Sequence, residues 1–334
     1  MPVLYVTEPG AVLRKSGERL VVTKEDVPLA SMPALHVEQV VVFGPAHLTT
    51  PALAFLLERG IDVVLLSSLG RYFGRVVGST SGFGELRLRQ YEAYQAPERR
   101  LALARAFVAG KLSNQRALLQ RAARRQPQAG LDDLVAQLER GLDAVRQAPD
   151  MGTLRGLEGT TTRVYFVGFR RLLRQELGFY GRVRRPPRDP VNSMLSLGYT
   201  LLASNIHTAV QVVGLDPYLG FLHSVERTRP SLVLDLMEEF RSVIVDRLVL
   251  ELVNEGIVGP DDFEQPPEAE GATLLGQRAR KRFLEAFEAR VQTATTAPDG
   301  TTVPTYRRWF ERQARQVASL ILGRGTGYRA FRLR

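Results

Sequence analysis

The apolar positions of this chain change period once, near residue 86. Ahead of that point they form short β-branched runs at Leu4–Thr7, Ala11–Arg14, Arg19–Val22 and His36–Phe43. Short apolar runs bounded by turn residues read as strands, and Pro9-Gly10 and Ser16-Gly17 supply the turns. Thr50-Pro51 opens a short helix to Arg59, because proline suits the first turn, where its missing N–H is not needed. Ile61–Leu66 and Tyr72–Val77 return to strand. From Leu88 onward the period is helical, and helices are expected at roughly 88–95, 98–125, 131–146, 151–177, 190–212, 231–253, 273–294 and 304–322. Gly156 and Gly159 fall inside the fourth and are expected to break or kink it. The pattern therefore predicts an α+β chain. A β-rich domain, residues 1–86, precedes a larger all-helical domain, residues 87–334, with a short linker between them. Ala297–Gly300 marks a turn, and a polar acidic loop is expected around residues 259–268.

One helix breaks its own pattern. Residues 231–253 are apolar almost all round, yet Ser231, Asp235, Glu238, Glu239 and Ser242 line up at spacings of three and four. Carboxylates on a mostly buried helix are costly unless paired or bound to a metal. Two readings stand at this point. Asp235 and Glu238 pair with arginines such as Arg227, Arg229 or Arg241, or they help to hold a divalent cation.

Composition narrows the choice. With 334 residues and no cysteine, the chain has room for two domains and no means of making disulfides, thiolate zinc sites or a cysteine nucleophile. That fits a reducing cytoplasm. Met-Pro-Val-Leu-Tyr has no basic segment followed by an apolar one, so no signal peptide is expected. The longest apolar stretches fall short of a membrane span, so no membrane partner is expected either.

The net charge is +10 and the isoelectric point about 10.2, and the positive charge is clustered. Residues 87–125 hold ten basic side chains against Glu92 and Glu98. Residues 163–188 hold eight arginines against Glu176, and residues 306–334 eight against Glu311. Clustered arginine points to a polyanion, above all nucleic acid.

Of the four histidines, His36 is expected within a strand and His47 after a turn, both structural, and His207 on a buried helical face. His223 differs, since it follows the turn Asp216–Gly220 and precedes the acidic helix. A hard cation takes oxygen ligands, with histidine admitted for manganese. The best further acid is Glu158, set between Gly156 and Gly159, which would let a chain or substrate approach closely. Carboxylates drawn together in this way would repel one another without a metal. No P-loop, dinucleotide fingerprint or Gly-x-Ser-x-Gly elbow is present.

Asp189-Pro-Val-Asn192 through Tyr199, Gly214 through His223, Ser231 through Arg241, and Gly156-Leu-Glu158-Gly together resemble the CRISPR-associated spacer-acquisition integrases, the "Cas one" family. Leu86 to Arg116, ending Gly110-Lys-Leu-Ser-Asn114-Gln-Arg116, matches the first helices of that family's helical domain, and the likeness spans nearly the whole chain. It implies an N-terminal β-domain that dimerises and a helical catalytic domain. It also implies Mg²⁺ or Mn²⁺ held by Glu158, His223 and Glu238, with Asp235 as a neighbouring functional acid. Many members carry aspartate where this chain has Glu238.

The implied activity is insertion of spacer DNA into a repeat array by attack of a 3′-hydroxyl on a phosphodiester, with metal-dependent cleavage of double-stranded DNA as a related reaction. The implied partners are a second copy of the chain and a small companion adaptation protein, the "Cas two" family. Contacts to DNA are expected from Lys111, Asn114, Arg163 and Arg170. Arg184, Arg185, Asn192 and Arg241 are expected to add to them. A competing reading is a non-catalytic DNA-binding or architectural protein, in which the acidic stripe only pairs with arginines. A third is a metal-dependent phosphohydrolase of small substrates, which leaves the basic blocks unexplained.

Overall fold

A computed structural model describes residues 3–333 except 69, 79–82, 184–185, 227, 266–269, 297–301 and 304. The chain divides into two compact units, Met1–Gly82 and Phe83–Arg334. The division lies slightly ahead of residue 86, because the first helix of the second unit already begins at Gly84.

The first unit holds two four-stranded sheets. In one, β1 (Val3–Val6), β5 (Gln39–Phe43) and β7 (Asp62–Leu66) run parallel, and β8 (Tyr72–Val76) pairs antiparallel with β7. In the other the order is β4 (Val27–Pro33), β3 (Arg19–Lys24), β2 (Val12–Ser16) and β6 (His47–Leu48). Helix α1 (Thr50–Glu58) is capped by Thr49, whose side chain accepts from the Ala52 N–H. Its Phe55 and Leu56 join Val40, Val42 and Val63 in the core.

Strand β4 is absent from the hydrophobic pattern for a physical reason. It carries Pro28 and Pro33 and is almost wholly exposed, and proline is tolerated in a sheet only at such an edge. His36 lies in a 3₁₀ turn, Ala34–His36, and not in a strand. Both faces of β5 are buried in the single chain.

The second unit is helical: α2 (Gly84–Gln95), α3 (Pro97–Arg125), α4 (Asp132–Gln147), α5 (Met151–Arg171) and α6 (Pro190–Val213), then the acidic segment, and finally α9 (Gln277–Val291) and α10 (Tyr306–Ile321). Two short antiparallel pairs, β9 (Phe263–Glu264) with β10 (Leu274–Leu275) and β11 (Thr295–Thr296) with β12 (Thr302–Val303), flank α9. The turn expected at Ala297–Gly300 lies outside the described residues, as does Glu268 of the acidic loop. Helix α6 is buried on most of its surface, so it lies at the centre of the helical unit. Asp189 caps its start by accepting from the Asn192 N–H at 2.8 Å.

Two expectations about helices are corrected. Helix α5 runs unbroken through Gly156 and Gly159, with open space over both, and ends at Arg171, short of residue 177. The helix expected over 231–253 is three pieces: α7 (Ser231–Met237), a π-helical segment (Arg241–Asp246) and α8 (Arg247–Asn254). A π segment adds a residue to a turn and rotates the next turns of the helix about its axis, and such segments gather at functional sites. Among the described residues, no helix is long and apolar enough to cross a membrane.

Candidate metal and DNA site

His223 is placed by Asp235. The carboxylate of Asp235 is fully buried and accepts the backbone N–H groups of Phe221 at 2.5 Å, Leu222 at 2.9 Å and His223 at 3.0 Å. It also meets the imidazole Nδ1 of His223 at 2.7 Å. The loop reaches this position because residue 220 is glycine. A Cβ there would lie 2.5 Å from the Ser231 carbonyl carbon and 2.7 Å from the Asp235 carboxylate. With Nδ1–H donated to Asp235, the lone pair of the neutral ring sits on Nε2, the arrangement that suits a metal ligand. Nε2 lies 4.0 Å from Glu238 Oε1.

Glu238 is buried. Its Oε1 accepts from Arg241 Nε at 3.1 Å, and Lys111 Nζ stands 2.7 Å from Oε2. Oε2 has no aligned hydrogen-bond donor. Burial raises the pKa of this group, but the charges of Arg241 and Lys111 outweigh it and hold Glu238 far below the usual carboxylate range. Lys111, on α3, also donates to Glu158 on α5, and Thr162 donates to the same oxygen of Glu158 at 3.2 Å. The structure therefore gathers Glu158, His223 and Glu238 at one place with an ammonium between the two carboxylates. Among the described residues, no three His, Asp or Glu side chains stand close enough to hold an ion without rearrangement. The repulsion expected between bare carboxylates is absent, because Lys111 and Arg241 offset both charges.

Behind Glu238 lies a network that the hydrophobic pattern did not predict. The Arg241 guanidinium stacks on the Tyr199 ring at 4.6 Å. Tyr199 and Tyr165 donate to the two oxygens of Asp246 at 2.5 and 2.7 Å. Burial and the Asp246 charge push both hydroxyls well above their ordinary pKa, so both remain donors. A signal was present, since Asp246 continues the stripe of Asp235, Glu238 and Ser242 by one more turn.

Glu239 turns away from this site. Its buried carboxylate accepts from Gln313, from the Tyr328 hydroxyl and from the Phe331 N–H, and burial raises its pKa to about 7.

The expected DNA contacts divide. Asn114 is buried and donates to the carbonyls of Glu239 at 2.7 Å and Phe331 at 2.9 Å, so it anchors the C-terminal segment and does not face DNA. Asn192 is also buried, and it accepts from Val183 N and Arg182 and donates to Gly181 O, so it shapes that loop. Lys111 and Arg241 are turned inward onto carboxylates. Arg229 pairs with Glu226, not with the stripe. Arg163 and Arg170 are exposed, the second 4.4 Å from the Tyr180 ring. Arg184, Arg185 and Arg227 lie outside the described residues. Gly159, Thr162 and Arg163 line an open cavity of about 630 Å³ together with Phe166, Tyr180, Arg182 and Arg188. Thr162 both lines the cavity and donates to Glu158, so the candidate site adjoins a basic, aromatic-lined recess.

The chain thus pairs a β-rich unit with a helical unit in which two glutamates and a histidine gather beside an arginine-lined recess. The family model for CRISPR associated protein Cas1 matches residues 4–289. The chain is 39% identical to a CRISPR-associated endonuclease Cas1 of Thermus thermophilus, over 99% of its own length and 97% of that relative. Its fold is similar to a chain of a Cas6-RT-Cas1–Cas2 complex, with a TM-score of 0.86 and 27% identity, covering 99% of this chain and 36% of that longer one. It also resembles a Cas1 protein from Thermotoga maritima, with a TM-score of 0.83 over the full length of both chains; at 24% identity that likeness is one of fold. The chain belongs to the Cas1 family.

Proposed function

We propose that this chain is a divalent-metal-dependent DNA endonuclease and integrase of CRISPR adaptation, joining spacer DNA to a repeat by attack of a 3′-hydroxyl on a phosphodiester. The observation that carries the reading is the meeting of Glu158, His223 and Glu238 beside the arginine-lined cavity. The donor set fits Mg²⁺ or Mn²⁺. It offers carboxylate oxygens, an imidazole nitrogen turned outward by Asp235, and a buried carboxylate oxygen with no aligned donor. When bound, the metal supplies Lewis-acid polarisation of a phosphoryl oxygen and stabilisation of the leaving 3′-oxygen.

The protein's own groups do the rest. Asp235 fixes the imidazole, Arg241 holds Glu238 in place, and the Asp246–Tyr199 pair holds Arg241. In this reading Arg163 and Arg188 at the cavity take phosphates, and Tyr180, whose ring already carries Arg170, stacks an unpaired base. A homodimer through the first unit is supported by exposed apolar residues on edge strands: Val27 at 60% and Leu29 at 50% exposure on β4, and Phe73 at 59% on β8. Strand β5 adds nothing to that support, since it is buried in the single chain. The companion Cas2-type protein and a cytoplasmic setting belong to the same proposal.

The rival architectural reading draws on the Glu238–Arg241 and Glu238–Lys111 pairs. It leaves the Asp235–His223 arrangement without a purpose. Strand transfer with a 3′-hydroxyl oligonucleotide and a repeat duplex separates the two. Metal-dependent joining by the wild type, lost in Glu158→Ala with DNA binding retained, is the expected result. DNA binding with no joining or cleavage in any divalent metal supports the rival.

A further inference from the structure

Only four of the 45 basic residues are lysines: Lys15, Lys24, Lys111 and Lys281. One of them is buried between two carboxylates. The Lys111 side chain is 6% exposed, contacts Glu158 Oε1 and stands 2.7 Å from Glu238 Oε2. Arginine presents a planar fork of five donors, whereas an ammonium is a compact point charge. In a chain that otherwise uses arginine so heavily, a small round charge is what sets this position apart. The two oxygens of Glu238 are also divided in role. Oε1 is held by Arg241, while Oε2 faces the Lys111 ammonium at 2.7 Å. The site opens on the side of Glu158, whose side chain is 26% exposed and whose flanking glycines face open space.

We propose that the Lys111 ammonium is a built-in counter-ion that holds Glu158 and Glu238 together in the metal-free protein, and that a divalent cation enters by displacing it. The inference rests on the reading of Glu158, His223 and Glu238 as metal ligands. An ammonium and a divalent cation cannot both bridge this pair, because like charges a few ångströms apart in a buried site repel strongly. Displaced, the flexible four-carbon stem carries the ammonium toward the open Glu158 side. Lys111 is thus a positioning residue that tunes metal entry.

Two measurements on the full chain test this. In the first, Mn²⁺ is titrated into wild type and Lys111→Met while free Mn²⁺ is followed by electron paramagnetic resonance. The variant should bind about tenfold more tightly or better, and its metal-free form should melt at lower temperature than the wild type. A merely structural lysine would lower the melting temperature without raising affinity. In the second, wild-type protein is acylated with and without Mn²⁺ and the lysine peptides are weighed. Labelling of Lys111 should rise with metal relative to Lys15, Lys24 and Lys281, and this readout stands even if the variant does not fold. Equal or weaker Mn²⁺ binding by Lys111→Met, or a Lys111 that stays protected with Mn²⁺ bound, overturns the displacement and leaves the ligand reading intact. Absence of Mn²⁺ binding in both proteins overturns the two together.

Discussion

Asp235 and His223 are joined twice through one atom: Asp235 Oδ1 accepts the backbone N–H of His223 at 3.0 Å and meets its ring Nδ1 at 2.7 Å. Position and orientation of the imidazole are thereby set by a residue that is not itself a ligand. Asp235→Asn keeps one acceptor oxygen, sets its NH2 against the N–H groups the other oxygen accepted, and loses the charge that fixes the tautomer. Partners of this kind typically change metal affinity or activity by roughly 10- to 100-fold. Strand-transfer rates and the histidine nitrogen shifts of the two proteins check this, and an unchanged tautomer in the variant counts against it. Asp235→Ala should be worse, because it strands the buried N–H groups of Phe221 and Leu222 at about 1–3 kcal/mol each, and the half-buried one of His223.

Removing a glutamate ligand should destabilise the metal-free protein. Between bare carboxylates the opposite is expected, but Lys111 and Arg241 reverse the sign. Glu238→Ala leaves two buried cations short of a partner, and breaking a buried pair from one side costs about 3–5 kcal/mol. Glu158 is more exposed, so Glu158→Ala should cost less. Denaturant melts without metal give the order, and a more stable Glu238→Ala contradicts this account of the charges.

Much of this was legible in the sequence. The helical period gave α3, α4, α6 and α10 to within a few residues, because each buries a continuous apolar stripe. The motifs singled out Glu158, His223, Asp235 and Glu238, which the structure brings near one another. What periodicity could not carry was local and three-dimensional. The π segment breaks the acidic helix without any proline or glycine, and β4 is an exposed edge with no apolar alternation. Asn114 and Asn192 look like surface amides in sequence, yet both are buried among backbone groups distant along the chain. Lys111 stood in the recognised segment as a DNA contact, and only the packing of α3 against α5 turns it onto Glu158.

DNA binding should be strongly salt dependent. If about six phosphates are contacted, affinity should fall on the order of a thousandfold between roughly 50 and 200 mM salt. Arg163→Glu, at the cavity, should weaken binding more than Arg140→Glu on the exposed part of α4. Fluorescence anisotropy across salt concentrations reads both, and equal effects of the two reversals would remove the cavity from the DNA path.

Asp246 should make stability fall as pH rises. Burial raises its folded pKa above the usual 3.8, against the lowering effect of Tyr199 and Tyr165. An acid with a raised folded pKa binds its proton more tightly when folded. Its contribution is therefore full below the unfolded pKa and is lost as pH climbs through the folded one. Relative to Asp246→Asn, the wild type should lose stability as pH rises from about 4 toward neutrality. Paired melts across that range test it, and a difference that does not change with pH contradicts the burial argument.

The exposed edges of the first unit give a test of assembly. Leu29→Glu with Phe73→Glu in the full chain should shift a dimer toward monomer without unfolding, since both side chains are exposed. Light scattering at micromolar concentration reads the mass. A wild type that is already monomeric there, or a double variant that remains dimeric, removes these edges as the interface.

The central claim is that Glu158, His223 and Glu238 hold one divalent cation. Anomalous diffraction from crystals of the full chain grown with Mn²⁺ tests it most directly. The account predicts a single strong peak per chain within roughly 2.0–2.4 Å of both carboxylates and of His223 Nε2, with the Lys111 ammonium moved off Glu238. A peak elsewhere, or none while Lys111 still bridges Glu158 and Glu238 at saturating Mn²⁺, would contradict it.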